Sequence, residues 1–154
     1  MKNLPGHNEY KKIRFNQITK TEVSNGPGIY EIWTDSGKSL KVGVSNNLIK
    51  RLKQHAASRD SGLKFLVSNP TEPAHITSKS SILAKHLYFD RVLAEARGYD
   101  LRSGDGRKKF LAEKCYIKFL VTKTREEARV LEKKLERSNQ FRYTRKFIYL
   151  ENNE

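Results

Sequence analysis

The sequence predicts an α+β fold built on a small sheet. Two β-branched and aromatic runs, at 29–33 and 40–44, flank a tight turn, and a third alternating run lies far downstream at 115–121. Three further segments, at 48–55, 80–97 and 124–135, carry helical rather than strand periodicity. At 154 residues the chain fits one ordinary domain, able to bury about two-thirds of its unfolded surface.

Residues 1–25 mix Lys, Asn, Glu and Thr with scattered apolar side chains, and read as an N-terminal arm with at most a short ordered stretch at 13–18. A turn cluster, Asn25-Gly26-Pro27-Gly28, leads into the first strand. Asp35-Ser36-Gly37-Lys38 then reverses the chain, so that the first two strands form a hairpin. Ser45, Asn46 and Asn47 offer N-caps to a helix from Leu48, on which Leu48, Arg51, Leu52 and His55 fall at i, i+3, i+4 and i+7. A guanidinium and an imidazole beside an apolar stripe are unusual on a surface helix, whose Arg normally points outward.

Residues 57–79 are rich in Ser, Pro, Thr and Lys and read as loop with one apolar patch at 63–67. Helical spacing returns at 80–97, where Ile82, Phe89, Leu93 and Ala96 share a face with His86 among them and Gly98 is a natural stop. His86 is expected to be a core histidine with satisfied nitrogens. Residues 98–109, containing Gly104-Asp105-Gly106-Arg107-Lys108-Lys109, read as a basic, flexible loop before a short helical turn at 110–113. Thr124-Arg125-Glu126-Glu127 has the form of a capping box and opens a helix whose inner face carries Ala128, Leu131 and Leu135, with Glu132 at its edge. The aromatic and basic segment from Phe141 is expected to finish as a strand at 147–150. The organisation is then an arm at 1–25, one domain at 26–150 with an insertion at 57–113, and a tail at 151–154, without internal repeats.

Thirty-one Lys and Arg against seventeen Asp and Glu leave a net charge of +14, a field that attracts polyanions and speeds their encounter. Nucleic acid is the leading partner class; an anionic membrane surface or a merely soluble basic surface is the alternative. One cysteine, Cys115, excludes an internal disulfide and a cysteine-based zinc module, and points to a reducing, cytoplasmic setting. No apolar run has the length of a signal-peptide core or a bilayer span, so export by a standard signal is not expected.

Gly28-Ile29-Tyr30 on one strand is followed, after ten residues, by Lys41-Val42-Gly43 on the next, and Arg51 lies eight residues beyond that glycine. Glu127-Ala128-Arg129-Val130-Leu131-Glu132 and Gln140-Phe141-Arg142-Tyr143-Thr144 come later in the same order. In this the chain resembles the GIY-YIG nucleases, whose pattern runs G-I-Y, about ten residues, Y-I-G, x-x-x-N-L-x-x-R, then E-A-x-x-L-E and R-P-x-Y-N. The stretch from Gly43 through Asn47-Leu48 to Arg51 reproduces the N-L-x-x-R part. The resemblance covers Pro27 to about His55 and Lys114 to Thr144; residues 57–113 are an insertion relative to compact members.

The resemblance implies a three-stranded antiparallel sheet packed by helices and metal-dependent hydrolysis of DNA. It implies one divalent ion, Mg²⁺ or Mn²⁺, on Glu132, since Mg²⁺ keeps most of its waters and takes few protein ligands. Tyr30 matches the tyrosine that deprotonates or orients water, and Arg51 the arginine whose fork suits a phosphate gaining charge. His55, four residues after that arginine, matches a position that relays protons or holds the phosphate. Asn47 and Thr144 are supporting residues, with Thr144 replacing the late asparagine.

Lys41 replaces the YIG tyrosine. It can accept a proton only with a lowered pKa, or it can hydrogen-bond Tyr30 and favour the phenolate. Arg107, Lys108, Lys109, Arg142, Arg145 and Lys146 are expected to contact DNA phosphates. Double-stranded DNA is the expected partner, and palindromic cutting would require a homodimer. The competing expectations are a binding protein of the same fold that has lost cleavage, motivated by Lys41 and Thr144, and a basic interaction protein without a site.

Overall fold

The computed structural model describes residues 10–78, 82–138, 140–144, 147 and 149. Strand β1 (Lys11–Arg14) lies within the segment expected to be an arm, and it takes the main sheet from three strands to four. Ile13, Phe15, Ile18 and Val23 are all buried, so residues 10–25 belong to the domain rather than preceding it. Their spacing between polar residues is too short for a sustained period of two, and only pairing with a distant strand makes β1 regular.

Strands β2 (Gly28–Thr34) and β3 (Ser39–Ser45) form the expected hairpin, with a register shift between Ile32 and Trp33. Strand β6 (Cys115–Val121) inserts between β1 and β2, giving the antiparallel order β1-β6-β2-β3. Tyr30 stands opposite Gly43 and Phe119, and Ile32 opposite Lys41 and Ile117. These residues therefore share one face of the sheet, and Ile29 and Val42 lie on the other.

The first face carries the larger core. Leu48 and Leu52 of α1 (Leu48–Ala57), Leu83 and Leu87 of α2 (Ile82–Phe89), and Phe110 and Leu111 of α3 (Gly104–Lys114) are all fully buried there with Ile32 and Ile117. The second face is covered by α4 (Arg125–Arg137), with Ala128 and Phe141 packed on Ile29 and Val42. The Thr124 hydroxyl caps α4 by accepting from the Glu127 amide at 3.1 Å.

The insertion departs from its expected form in three places. A small two-stranded sheet, β4 (Leu63–Phe65) with β5 (Ile76–Ser78), occupies the Ser- and Pro-rich stretch. Helix α2 stops at Phe89, where Asp90 accepts from the Val92 amide and turns the chain; only a 3-10 turn at Ala94–Ala96 follows. The glycine-rich segment expected to be a flexible loop is the start of α3. Ser103 caps it by accepting from the Gly106 amide at 2.8 Å, and burial of Phe110 and Leu111 outweighs the weak helix propensity of Gly104 and Gly106.

The segment after α4 returns to the sheet. The amides of Arg142 and Tyr143 donate to the carbonyls of Ser39 and Leu40 at 3.0 and 2.7 Å, occupying the first part of β3. His86 is the satisfied core histidine that was expected: Nε2 meets the Thr144 carbonyl at 2.6 Å and Nδ1 the Tyr149 hydroxyl at 2.9 Å, with the ring stacked on Tyr143 and Phe147. Ile148 and Leu150 lie outside the described residues, and with them most of the strand expected at 147–150. Among the described residues no helix is long and apolar enough to cross a membrane.

Asp90 joins these parts, since its fully buried carboxylate takes Nε and Nη2 of Arg142 at 2.6 and 3.0 Å and the Tyr143 hydroxyl at 2.7 Å. Removing one partner of such a pair leaves a half-buried guanidinium uncompensated. Asp90→Ala is expected to destabilise the protein by about 3–5 kcal/mol in urea unfolding at neutral pH; a loss below about 1 kcal/mol would mean the pair is solvated rather than structural.

Candidate active site

A cleft of about 380 Å³ opens beside edge strand β3, and Tyr30, Lys41, Arg51, His55 and Glu132 all line it. They come from β2, β3, α1 and α4. Both faces of β3 contribute, since Lys41 and Gly43 line the cleft together with Val42 and Val44. The cleft therefore straddles the edge.

Two glycines make this convergence sterically possible. The Tyr30 side chain lies over Gly43 so closely that a Cβ there would collide with its hydroxyl and ring carbons. At Gly28 a Cβ would meet the Leu48 side chain and the Leu120 carbonyl, so glycine lets α1 settle on the strand. Asn47 caps α1 by accepting from the Lys50 amide at 3.1 Å. With Leu48 and Leu52 fully buried, Arg51 and His55 are left on the flank of the helix that borders the cleft.

The Tyr30 hydroxyl lies 2.7 Å from Nε2 of His55, and both side chains are buried. Burial holds the Tyr30 phenol well above its ordinary pKa; the Arg51 charge opposes this and the Glu132 charge adds to it. Burial likewise pushes the His55 imidazole down to about 3, helped by the cations Lys41 and Arg51. The resting pair is a neutral phenol and a neutral imidazole. Nδ1 of His55 is buried and has no hydrogen-bond partner among the described residues.

Lys41 is lowered from its ordinary pKa by burial, against the attraction of Glu132 and Glu136. The expected hydrogen bond from Lys41 to Tyr30 is not formed: the phenol is bonded to His55 and shifted away from the phenolate. Glu132 is half-buried and raised above its ordinary pKa by burial first and by Glu136 second, with Lys41, Arg129 and Arg125 opposing. It makes no ion pair or hydrogen bond among the described residues. No group of three or more His, Cys, Asp or Glu able to hold a metal occurs among the described residues. A hard cation with a mostly aqueous shell needs only one or two carboxylates, a number that Glu132 and Glu136 could provide.

Thr144 lines the cleft, and its carbonyl accepts from His86. Two of the expected phosphate contacts are corrected. Arg107 is fully buried: Nε donates to the Ser58 hydroxyl, Nη2 to the Ser58 carbonyl and to Asp60, and Nη1 to the Leu101 carbonyl. It secures the left-handed Ser58 (φ 44°) that ends α1. Arg142 spends its fork on Asp90. Lys108 and Lys109 are exposed, whereas Arg145 and Lys146 lie outside the described residues.

Sequence reasoning missed three charged residues of the cleft. Arg125, Arg129 and Glu136 line it with Glu132, on one stripe of α4 at intervals of four, three and four residues, a spacing readable once Glu132 was singled out. Comparison of the chain with family models, with curated proteins and with solved structures gives no match.

The two buried histidines make stability depend on pH. His55 is held at about 3 and His86 at about 4, both below the ordinary 6.5, so the unfolded chain binds protons that the folded chain does not. Their contribution is complete above pH 6.5 and is lost as pH falls toward these values, at about 1.4 kcal/mol per pH unit for each histidine. Urea denaturation between pH 7 and 4.5 should show this decline, with a shallower slope in His55→Gln; a pH-independent midpoint would contradict it.

Proposed function

We propose that the protein is a metal-dependent endonuclease that hydrolyses phosphodiester bonds in DNA, as a variant of the GIY-YIG type with lysine in place of the second tyrosine. The observation that carries this reading is the convergence in one cleft, from four separate elements, of the five residues that the resemblance singled out in the sequence. The net charge of +14 supports a polyanionic substrate, here duplex DNA.

Arg51 and Lys41 would hold the scissile phosphate, the guanidinium matching its planar oxygens as charge develops. Tyr30 takes a proton from the attacking water while its own passes to Nε2 of His55, 2.7 Å away. The water oxygen bonds to phosphorus, the ester bond breaks, and the departing oxygen takes a proton from solvent. His55 is a weak base in the free protein because burial, Lys41 and Arg51 all disfavour its cation. A bound phosphate offsets those two positive charges, so the relay becomes more basic when substrate is present. Glu132, with Glu136 one turn on, would hold the divalent ion, which when bound supplies Lewis-acid stabilisation of the phosphate oxygens.

A second reading is a DNA-binding protein of the same fold that does not cut, and the low basicity of His55 favours it. Plasmid nicking or cutting with Mg²⁺ or Mn²⁺ separates the two. The expected result is cleavage by the wild type and a loss of about 100-fold or more in Glu132→Ala and Arg51→Ala proteins of unchanged melting temperature. A wild type that binds DNA with a steep salt dependence but never cuts, across metals and pH, would establish the second reading.

A further inference from the structure

A second cleft, of about 520 Å³, lies between the end of α2 and the start of α3 and is lined within residues 88–102. Among the described residues it shares none with the catalytic cleft. We propose that it is an accessory DNA site that takes one nucleotide unit of the strand, away from the bond to be cut. This rests on the nucleic-acid reading above and names the surface that would position the substrate.

Three arginines, Arg91, Arg97 and Arg102, line it and are exposed. Arg97 and Arg102 make no ion pair among the described residues, whereas Arg14, Arg107 and Arg142 are bound to Asp35, Asp60 and Asp90. Among the described residues two carboxylates also line the cleft, and Asp90 is already spent on Arg142 and Tyr143. The other, Asp100, accepts from the Arg102 amide at 3.1 Å. The balance favours an anion, and guanidinium forks suit phosphate oxygens.

Tyr88 and Tyr99, both half-buried, add aromatic surface of the kind on which sugars and bases pack. The Tyr99 hydroxyl donates to Glu113 at 2.7 Å and fixes that ring. The volume lies within the range of about 300–1,000 Å³ typical of ligand sites.

Asp90 ties this cleft to the catalytic one. It lines the second cleft, its carboxylate holds the Tyr143 hydroxyl at 2.7 Å, and Tyr143 lines the first. A nucleotide seated on the arginines would thus be held at a set distance from Tyr30 and Glu132.

The test compares Arg97→Ala/Arg102→Ala with a charge-matched control, Arg59→Ala/Arg137→Ala, whose arginines are exposed and line neither cleft. Binding of a labelled duplex is followed by fluorescence anisotropy in EDTA, so that nothing is cut. Removing two phosphate contacts should weaken binding about 10-fold and lower the log–log salt slope by about 2, well beyond the control. Equal effects in both pairs, or none in either, would overturn the proposal. Tighter binding of a free nucleoside monophosphate, with duplex affinity unchanged in the Arg97/Arg102 variant, would also overturn the assignment to DNA. Hydrolysis of bis(4-nitrophenyl) phosphate, too small to span both clefts, should be equal in wild type and both variants. Absence of that hydrolysis from the wild type with Mg²⁺ or Mn²⁺ counts against the nuclease reading alone and leaves the binding comparison decisive for the second cleft.

Discussion

The tyrosine ring lying over a glycine on the neighbouring strand governs the geometry of the cleft beside β3. Because Tyr30 pairs with Gly43, its side chain can pass across β3 and bring its hydroxyl to His55. A slip of one residue would place Val42 or Val44 opposite and turn Tyr30's neighbours to the other face. Helix α1 can meet that hydroxyl only because Gly28 lets Leu48 approach the strand, so the two glycines act as one steric device. Their small size, not their backbone freedom, is what the site uses.

The parts of the fold that could be read from the chain are those with a local period. The β2–β3 hairpin, α1, β6 and α4 each repeat over enough residues to declare themselves, and β2, β3, α1 and α4 carry the five residues that the sequence assigned to the site. Strand β1 was missed because four residues give too little alternation and its order comes from β6. Helix α3 was missed because Gly104 and Gly106 are poor helix formers, while the burial that stabilises it is tertiary.

The basic side chains give a sharper lesson. Arg107 and Arg142 sit in runs that look like solvated, phosphate-seeking surface, yet each is committed to a carboxylate distant in sequence, Asp60 or Asp90. Composition counts charges without showing which are already neutralised. Arg125 and Arg129 looked no different from them in the sequence, and they face the cleft. Lys41 illustrates the same limit on finer scale. Its identity raised the question of a phenolate, and the answer depended on His55, fourteen residues further along and on another element.

The two edges of the main sheet are treated differently. On one side β1 is only four residues long and begins with exposed Lys11 and Lys12, which make poor templates for another chain. On the other, β3 would offer seven residues to any strand-like peptide, but the amides of Arg142 and Tyr143 already occupy its first carbonyls. Among the described residues no further segment pairs with the stretch from Lys41 to Val44, which is bordered by arginines and carboxylates. An edge without a partner strand is one on which copies could stack into aggregates. The return of the C-terminal segment shortens that exposure, so the same two backbone hydrogen bonds that close the start of β3 also mark where the cleft begins.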